Sequence, residues 1–167
     1  MGYVINKPIC TVLLIAYNHA PYVAKCIESV LSQNTKYSYI VKIFDDCSTD
    51  GTSDIVMQYA QKYPDLIEAH INERNIGAKD NIWNSYKSVD TKYCILTETD
   101  DYWCDDNKLE LQITALEQHP ECSFCGHNTI IKTLDESCRE YKDEPILTQS
   151  ILKEKQQVKE LLCVNGQ

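Results

Sequence analysis

Four times between Cys10 and Pro120 the sequence runs through the same order: an apolar stretch, a polar loop, then a segment whose apolar residues recur every three or four positions. Cys10-Thr11-Val12-Leu13-Leu14-Ile15-Ala16 is apolar without alternation, as a strand buried on both faces must be. It stops at Tyr17-Asn18-His19-Ala20-Pro21, where Pro21 suits the first turn of a helix, and Val23, Ile27, Val30 and Leu31 then repeat at helical spacing. Tyr39-Ile40-Val41-Lys42-Ile43-Phe44 repeats the pattern, followed by the loop from Asp45 to Thr52 and a helix marked by Ile55, Val56, Tyr59 and Ala60. A shorter third strand, Leu66-Ile67-Glu68-Ala69-His70-Ile71, is expected near an edge, and the helix after it carries Ile82, Tyr86 and Val89 on one face. The fourth strand, Tyr93-Cys94-Ile95-Leu96, leads to a helix with Leu109, Ile113 and Leu116, closed by Pro120.

Parallel neighbours need long crossovers, and those crossovers are right-handed. Strand–helix alternation therefore predicts an α/β fold, a mostly parallel sheet flanked by helices on both faces. The loops after all four strands then open on one edge, where sheets of this kind bind ligands. That edge gathers Tyr17 and Asn18, the acidic pair Asp45 and Asp46, the loop 75–79, and Glu98-Thr99-Asp100-Asp101.

The last of these carries the clearest chemistry. Three carboxylates within four positions at the end of a strand repel one another unless a hard cation sits among them, and oxygen ligands suit Mg²⁺ or Mn²⁺. The alternative is that these acids cap the next helix and face water. Ser48, Thr49 and Asp50 are likewise good helix caps, which explains part of their loop without any function.

A length of 167 residues fits a single domain. The net charge of −9 argues against duplex nucleic acid as a partner, because a binder needs a basic face against the phosphates. No apolar run reaches the roughly 18–20 residues of a membrane span, and residues 1–8 lack a signal-peptide core. A cytoplasmic location is expected, with peripheral association at the inner membrane face as its extension. Nine cysteines, an odd number without a secretory signal, suggest reduced thiols. Cys122 and Cys125 form a CxxC with His127 nearby, but no second CxxC follows and the segment reads as a strand, so structural zinc is not expected.

In order, spacing and type, Thr11–Asn18, Asp45-Asp46-Cys47-Ser48-Thr49-Asp50-Gly51-Thr52, Asn75-Ile76-Gly77 and Glu98-Thr99-Asp100-Asp101-Tyr102-Trp103 strongly resemble the family-2 glycosyltransferases of the GT-A, Rossmann-like fold. The resemblance covers roughly residues 9–127. It implies transfer of a sugar from a nucleotide diphosphate sugar, a UDP-sugar favoured, to an acceptor hydroxyl on a glycan or lipid-linked acceptor, with inversion, a Mn²⁺ or Mg²⁺ cofactor and a role in surface polysaccharide synthesis. By the same resemblance Ala16, Tyr17 and Asn18 lie along the nucleotide, with Tyr17 stacking on the base or else anchoring its loop. Asp45 and Asp46 match an acidic pair that accepts from the base or ribose. Lys79 stands near a basic position that faces the nucleotide, or is a solvated helix residue. Glu98-Thr99-Asp100 matches the Asp-x-Asp motif, with Asp100 on the metal and Glu98, here in place of Asp, toward the ribose or a metal-bound water. Asp101 buttresses the site or caps a helix.

The inverting reaction needs a general base, and none of Glu136, Glu140, Asp143 or Glu144 sits in a recognisable base motif. The base is therefore expected outside this chain, which would be the amino-terminal part of a longer enzyme or an unusually short one. His127 could face the sugar or simply pack. A binding module that holds nucleotide and metal without turnover is the alternative function. A nucleotidyltransferase is disfavoured, since residues 17–21 hold no Gly-rich phosphate loop. A last helix after Ser150, with Ile151, Leu152, Val158, Leu161 and Leu162, is expected to pack rather than to anchor in a membrane.

Overall fold

The computed structural model describes residues 7–127, 129–131 and 144–145. The expected helix after Ser150 and the acids Glu136, Glu140 and Asp143 lie outside them. The chain divides into two compact units, Met1–Leu111 and Gln112–Gln167.

The first unit is a parallel sheet of β1 (Cys10–Ala16), β2 (Tyr39–Asp45), β3 (Ile67–Ile71) and β4 (Tyr93–Glu98) in the order β3-β2-β1-β4. Every residue of β1 is buried, which is why that strand needs no polar alternation. Its one hydroxyl, Thr11 Oγ1, meets Thr91 Oγ1 at 2.8 Å. β3 stands at one edge, as expected. β4 closes the described sheet on the other side and is half exposed along its length.

Strand order explains the two helical layers. The steps β1 to β2 and β2 to β3 run the same way, so right-handed crossovers place α1 (Val23–Leu31) and α2 (Thr52–Lys62) on one face. The return from β3 to β4 passes back over β2 and β1 and puts α3 (Ala78–Lys87) on the other. Leu13, Ile15 and Phe44 pack there against Ile82, Val89 and Leu96. Lys42 also points to this face and donates to the Ser88 carbonyl at 2.9 Å while pairing with Glu68, its register partner on β3. Phe44 stacks on its own register partner His70, ring centroids 4.4 Å apart.

The α3 stripe differs from expectation. Tyr86 is exposed, and the two buried positions are Asn81 and Ser85. The reason is local: Asn81 Nδ2 donates to the Phe44 carbonyl and Ser85 Oγ to the Ile82 carbonyl, so both are buried with partners. Helix α4 (Lys108–Gln118) buries Leu109 and Ile113 of its expected stripe. Asp105 Oδ1 accepts from Asn107 N at 2.8 Å, and Gln33 spans the turn by accepting from Leu109 N and donating to the Asp105 carbonyl.

In the second unit, β5 (Ile130–Ile131) pairs antiparallel with β6 (Glu144–Pro145). Of the one bent strand or two that residues 123–131 suggest, Ile130–Ile131 forms as β5, and the described residues 123–127 form no strand. Residues 124–127 are irregular, and the Cys125 carbonyl is taken by Gln112 Nε2 instead of by a ladder. Cys122 is disulfide-bonded, against the reduced state expected, while Cys125 is a free thiol. His127, which was expected near the end of that strand, is exposed in the irregular segment. Among the described residues no helix is long and apolar enough to cross a membrane.

Candidate functional site

The strand order reverses between β1 and β4, the place at the carboxyl edge where open α/β sheets carry their ligand sites. The residues expected to form a site all come from this edge.

The loop after β1 is held by the loop after β2. Ala16 is fully buried and its carbonyl accepts from Asp46 N at 2.9 Å. Asn18, in the left-handed region at φ 55°, donates from its backbone N–H to Ser48 Oγ at 2.8 Å and accepts from Thr49 N at 2.9 Å through Oδ1. His19 N donates to Thr52 Oγ1 and Ala20 N to Asp50 Oδ2. Partial desolvation works to raise the Asp50 carboxyl's pKa. The donors from Thr52 and Ala20 outweigh it and leave the carboxyl below its ordinary range. Tyr17 follows β1 directly and is exposed, with its ring free to meet a ligand. Ser48, Thr49 and Asp50 thus serve chiefly as ties between loops, and Gly51, at φ 99°, takes the cap position of α2.

The acidic pair is buried and engaged. Asp45 accepts from Ser48 Oγ, from Ser48 N at 3.1 Å and from Ser53 Oγ at 2.5 Å. Asp46 accepts from Asn72 Nδ2 (2.9 Å), Ile76 N (2.8 Å) and Gly77 N (2.8 Å), so it fixes the loop before α3. Asn72 also donates to Asn81 Oδ1, which carries this network down to β2 through the Phe44 carbonyl. Gly77 sits at φ 88° and ψ 150°, a conformation essentially reserved for glycine. Lys79, in the first turn of α3, is exposed and has no polar partner among the described residues.

The acids after β4 are the opposite. Glu98, Asp100 and Asp101 are exposed, and none of their carboxylates accepts a hydrogen bond among the described residues. Helix capping does not explain them, because α4 begins at Lys108 and its first turn is served by Asp105 and Gln33. Their charge is felt below: the Cys26 thiol is pushed up to about 12, by burial first and then by Asp101 and Asp100. Between the two acidic positions Thr99 is wholly buried, donating from its backbone N–H to the Ile15 carbonyl. Its Oγ1 lies 2.9 Å from His19 Nδ1, which joins the β1 loop to the acidic strand end. Trp103 anchors the next turn through Ser29 Oγ and Thr97 Oγ1, and Lys25 Nζ lies 3.7 Å from the Tyr102 ring centroid.

Among the described residues no three His, Cys, Asp or Glu side chains converge as a self-contained metal cage. The residues do fit a cation of the kind that binds one or two carboxylates and takes its remaining ligands from phosphates and water. Asp100 has every lone pair available for that role. Sequence reasoning named the loop containing His19 and the motif containing Thr99 but gave neither side chain a part. Their contact spans 80 positions and leaves no periodic signal.

The model of the family described as Glycosyl transferase family 2 matches residues 11–166. Over 117 residues the chain is 35% identical to an uncharacterised protein of Mycobacterium tuberculosis, covering 70% of this chain and 34% of that one. Over 123 residues it is 34% identical to the putative teichuronic acid biosynthesis glycosyltransferase TuaG of Bacillus subtilis, covering 73% and 48%. The chain thus spans between a third and a half of the length of these relatives. Its fold is that of the mannosyltransferase PcManGT from Pyrobaculum calidifontis, solved with GDP-Man and Mn²⁺ (TM-score 0.63, 22% identity, 73% of this chain and 36% of that one). S. aureus TarS, solved with UDP-GlcNAc, is also similar (TM-score 0.51, 26% identity, 66% and 32%).

Proposed function

The chain belongs to glycosyl transferase family 2, and from that premise we propose that its sheet edge binds a nucleotide diphosphate sugar for transfer to an acceptor hydroxyl in surface glycan synthesis, with inversion and with a divalent cation. The observation that carries this reading is the contrast between the two acidic groups. Asp45 and Asp46 are engaged in building the loops, whereas Glu98, Asp100 and Asp101 stand exposed and uncompensated at the reversal of strand order.

In this reading Tyr17 stacks on the base, and Ala16 and Asn18 shape the backbone beside it. Asp45 and Asp46, buried and each holding three donors of the protein, act on the nucleotide by keeping that wall rigid. Glu98 faces the ribose, Asp101 buttresses the turn, and Lys79 offers a cation toward the phosphates. Asp100 holds Mn²⁺ or Mg²⁺, which supplies positive charge to the diphosphate as it leaves. A preorganised wall matters because the loops need not be ordered when the donor arrives. UDP is the favoured nucleotide, supported by the similarity to a protein solved with UDP-GlcNAc. A glycan or lipid-linked acceptor is in keeping with the teichuronic acid biosynthesis in the TuaG relative's name, and the reading places the reaction at the cytoplasmic side of the membrane. The general base is not assigned to any described residue.

Asp100→Ala tests the reading. It is expected to abolish Mn²⁺-dependent UDP binding while leaving the unfolding free energy within about 0.5 kcal/mol of the parent, as for an exposed side chain away from the core. Equal UDP binding by Asp100→Ala and the parent would remove the metal assignment. Release of sugar from the donor separates an enzyme from a module that only holds nucleotide and metal.

A further inference from the structure

We infer that His19 is a further donor-binding residue, its Nε2–H directed to a diphosphate oxygen of the nucleotide; the assignment rests on the nucleotide-diphosphate reading of this site. Thr99 Oγ1 is wholly buried between two acidic positions, and a buried hydroxyl must place its hydrogen on an acceptor. Among the described residues the acceptor within reach is His19 Nδ1, at 2.9 Å. Thr99 is therefore the donor and the imidazole the acceptor. That choice sets the tautomer, because a neutral ring accepting at Nδ1 carries its hydrogen on Nε2.

Nε2 has no polar partner among the described residues, and His19 is only partly buried. It sits on the loop after β1, tied to the end of β4, at the reversal of strand order. The backbone around it is fixed from both sides: His19 N donates to Thr52 Oγ1, and its carbonyl accepts from Tyr22 N and Val23 N at the start of α1. A fixed N–H donor on a loop tied to the strand end that carries the exposed carboxylates suits an anionic oxygen that those carboxylates approach only through a cation. A diphosphate has such oxygens, and a free nucleoside has none.

Two variants separate the ring's two ends. In His19→Asn the side-chain carbonyl replaces Nδ1 as acceptor for Thr99, and the outward donor is lost. In His19→Gln an amide N–H reaches the place of Nε2–H. Titration of the purified chain with UDP and Mn²⁺ is expected to give about tenfold or weaker binding for His19→Asn with an unchanged unfolding midpoint, and recovery of most of that loss in His19→Gln. Nitrogen-15 NMR of the parent is expected to show the Nε2–H tautomer at His19, with that proton shifting when UDP is added. Nδ1–H in the free chain, or parent-like UDP binding by His19→Asn, would overturn the assignment and leave the nucleotide site standing. If the parent binds neither UDP nor GDP, the functional reading fails and the assignment with it.

Discussion

Five carboxylates stand at or just beyond the ends of β2 and β4, and their surroundings separate structure from chemistry. Asp46, with three donors on it, is a structural group first. Replacing it by Asn would turn an NH₂ toward at least one of these donors, in the better orientation Gly77 N, which then keeps only Asn75 Oδ1 as acceptor. Asp46→Asn is thus expected to lower stability by about 1–3 kcal/mol in urea unfolding, well beyond the effect of Asp100→Ala. Gly77→Ala belongs to the same scale. No atom lies within 4 Å of the position a Cβ would take, so the cost of about 1–3 kcal/mol comes from the backbone angle alone. Which residues were acidic, and at which strand ends, was legible in the sequence. Which acids are buried was not, because their partners, Ser53 at the start of α2, Asn72 and the N–H groups of Ile76 and Gly77, come from a helix and loops whose paths only the fold defines.

The elements follow hydrophobic pattern where burial is apolar and depart from it where burial is polar. β1 and α1 are read correctly because their buried residues are nearly all aliphatic or thiol. On α3, Asn81 and Ser85 displaced Tyr86 from the inner face, and no periodicity of apolar residues reports a buried asparagine that ties a loop to β2. Residues 123–127 form no strand, and the Cys125 carbonyl is taken by a side chain of α4. Burial gives β1 a direct test: Leu14→Ala, wholly inside, is expected to cost about 2–5 kcal/mol by denaturant unfolding, against less than about 0.5 kcal/mol for Trp83→Ala on the open side of α3.

The start of α4 carries a pH-dependent tie. Glu110 accepts from Lys36 Nζ, Lys36 N and Thr35 Oγ1, and the Lys36 contacts take its pKa from an ordinary 4.5 to about 2. A carboxyl lowered on folding stabilises above its unfolded pKa and ceases to do so as pH falls through the folded value. The difference in thermal midpoint between the parent and Glu110→Gln should stay level above pH 4.5 and shrink between 4.5 and 2.

At the scale of the whole molecule, the strand order β3-β2-β1-β4 is what turns four separate loops into one edge with a reversal in it. Alternation of strands and helices made the α/β class and the common loop edge legible, and four motifs in register made the family legible, as the match over residues 11–166 bears out. Strand order itself was not written in any single segment, since it depends on which way each crossover turns. The central claim is that this edge is a metal-dependent nucleotide diphosphate site. Calorimetric titration of the purified chain with UDP and with GDP, each with and without Mn²⁺, tests it most directly. The account predicts saturable binding of UDP that requires Mn²⁺; UDP binding of equal strength without the ion, or no binding of either nucleotide, would contradict it.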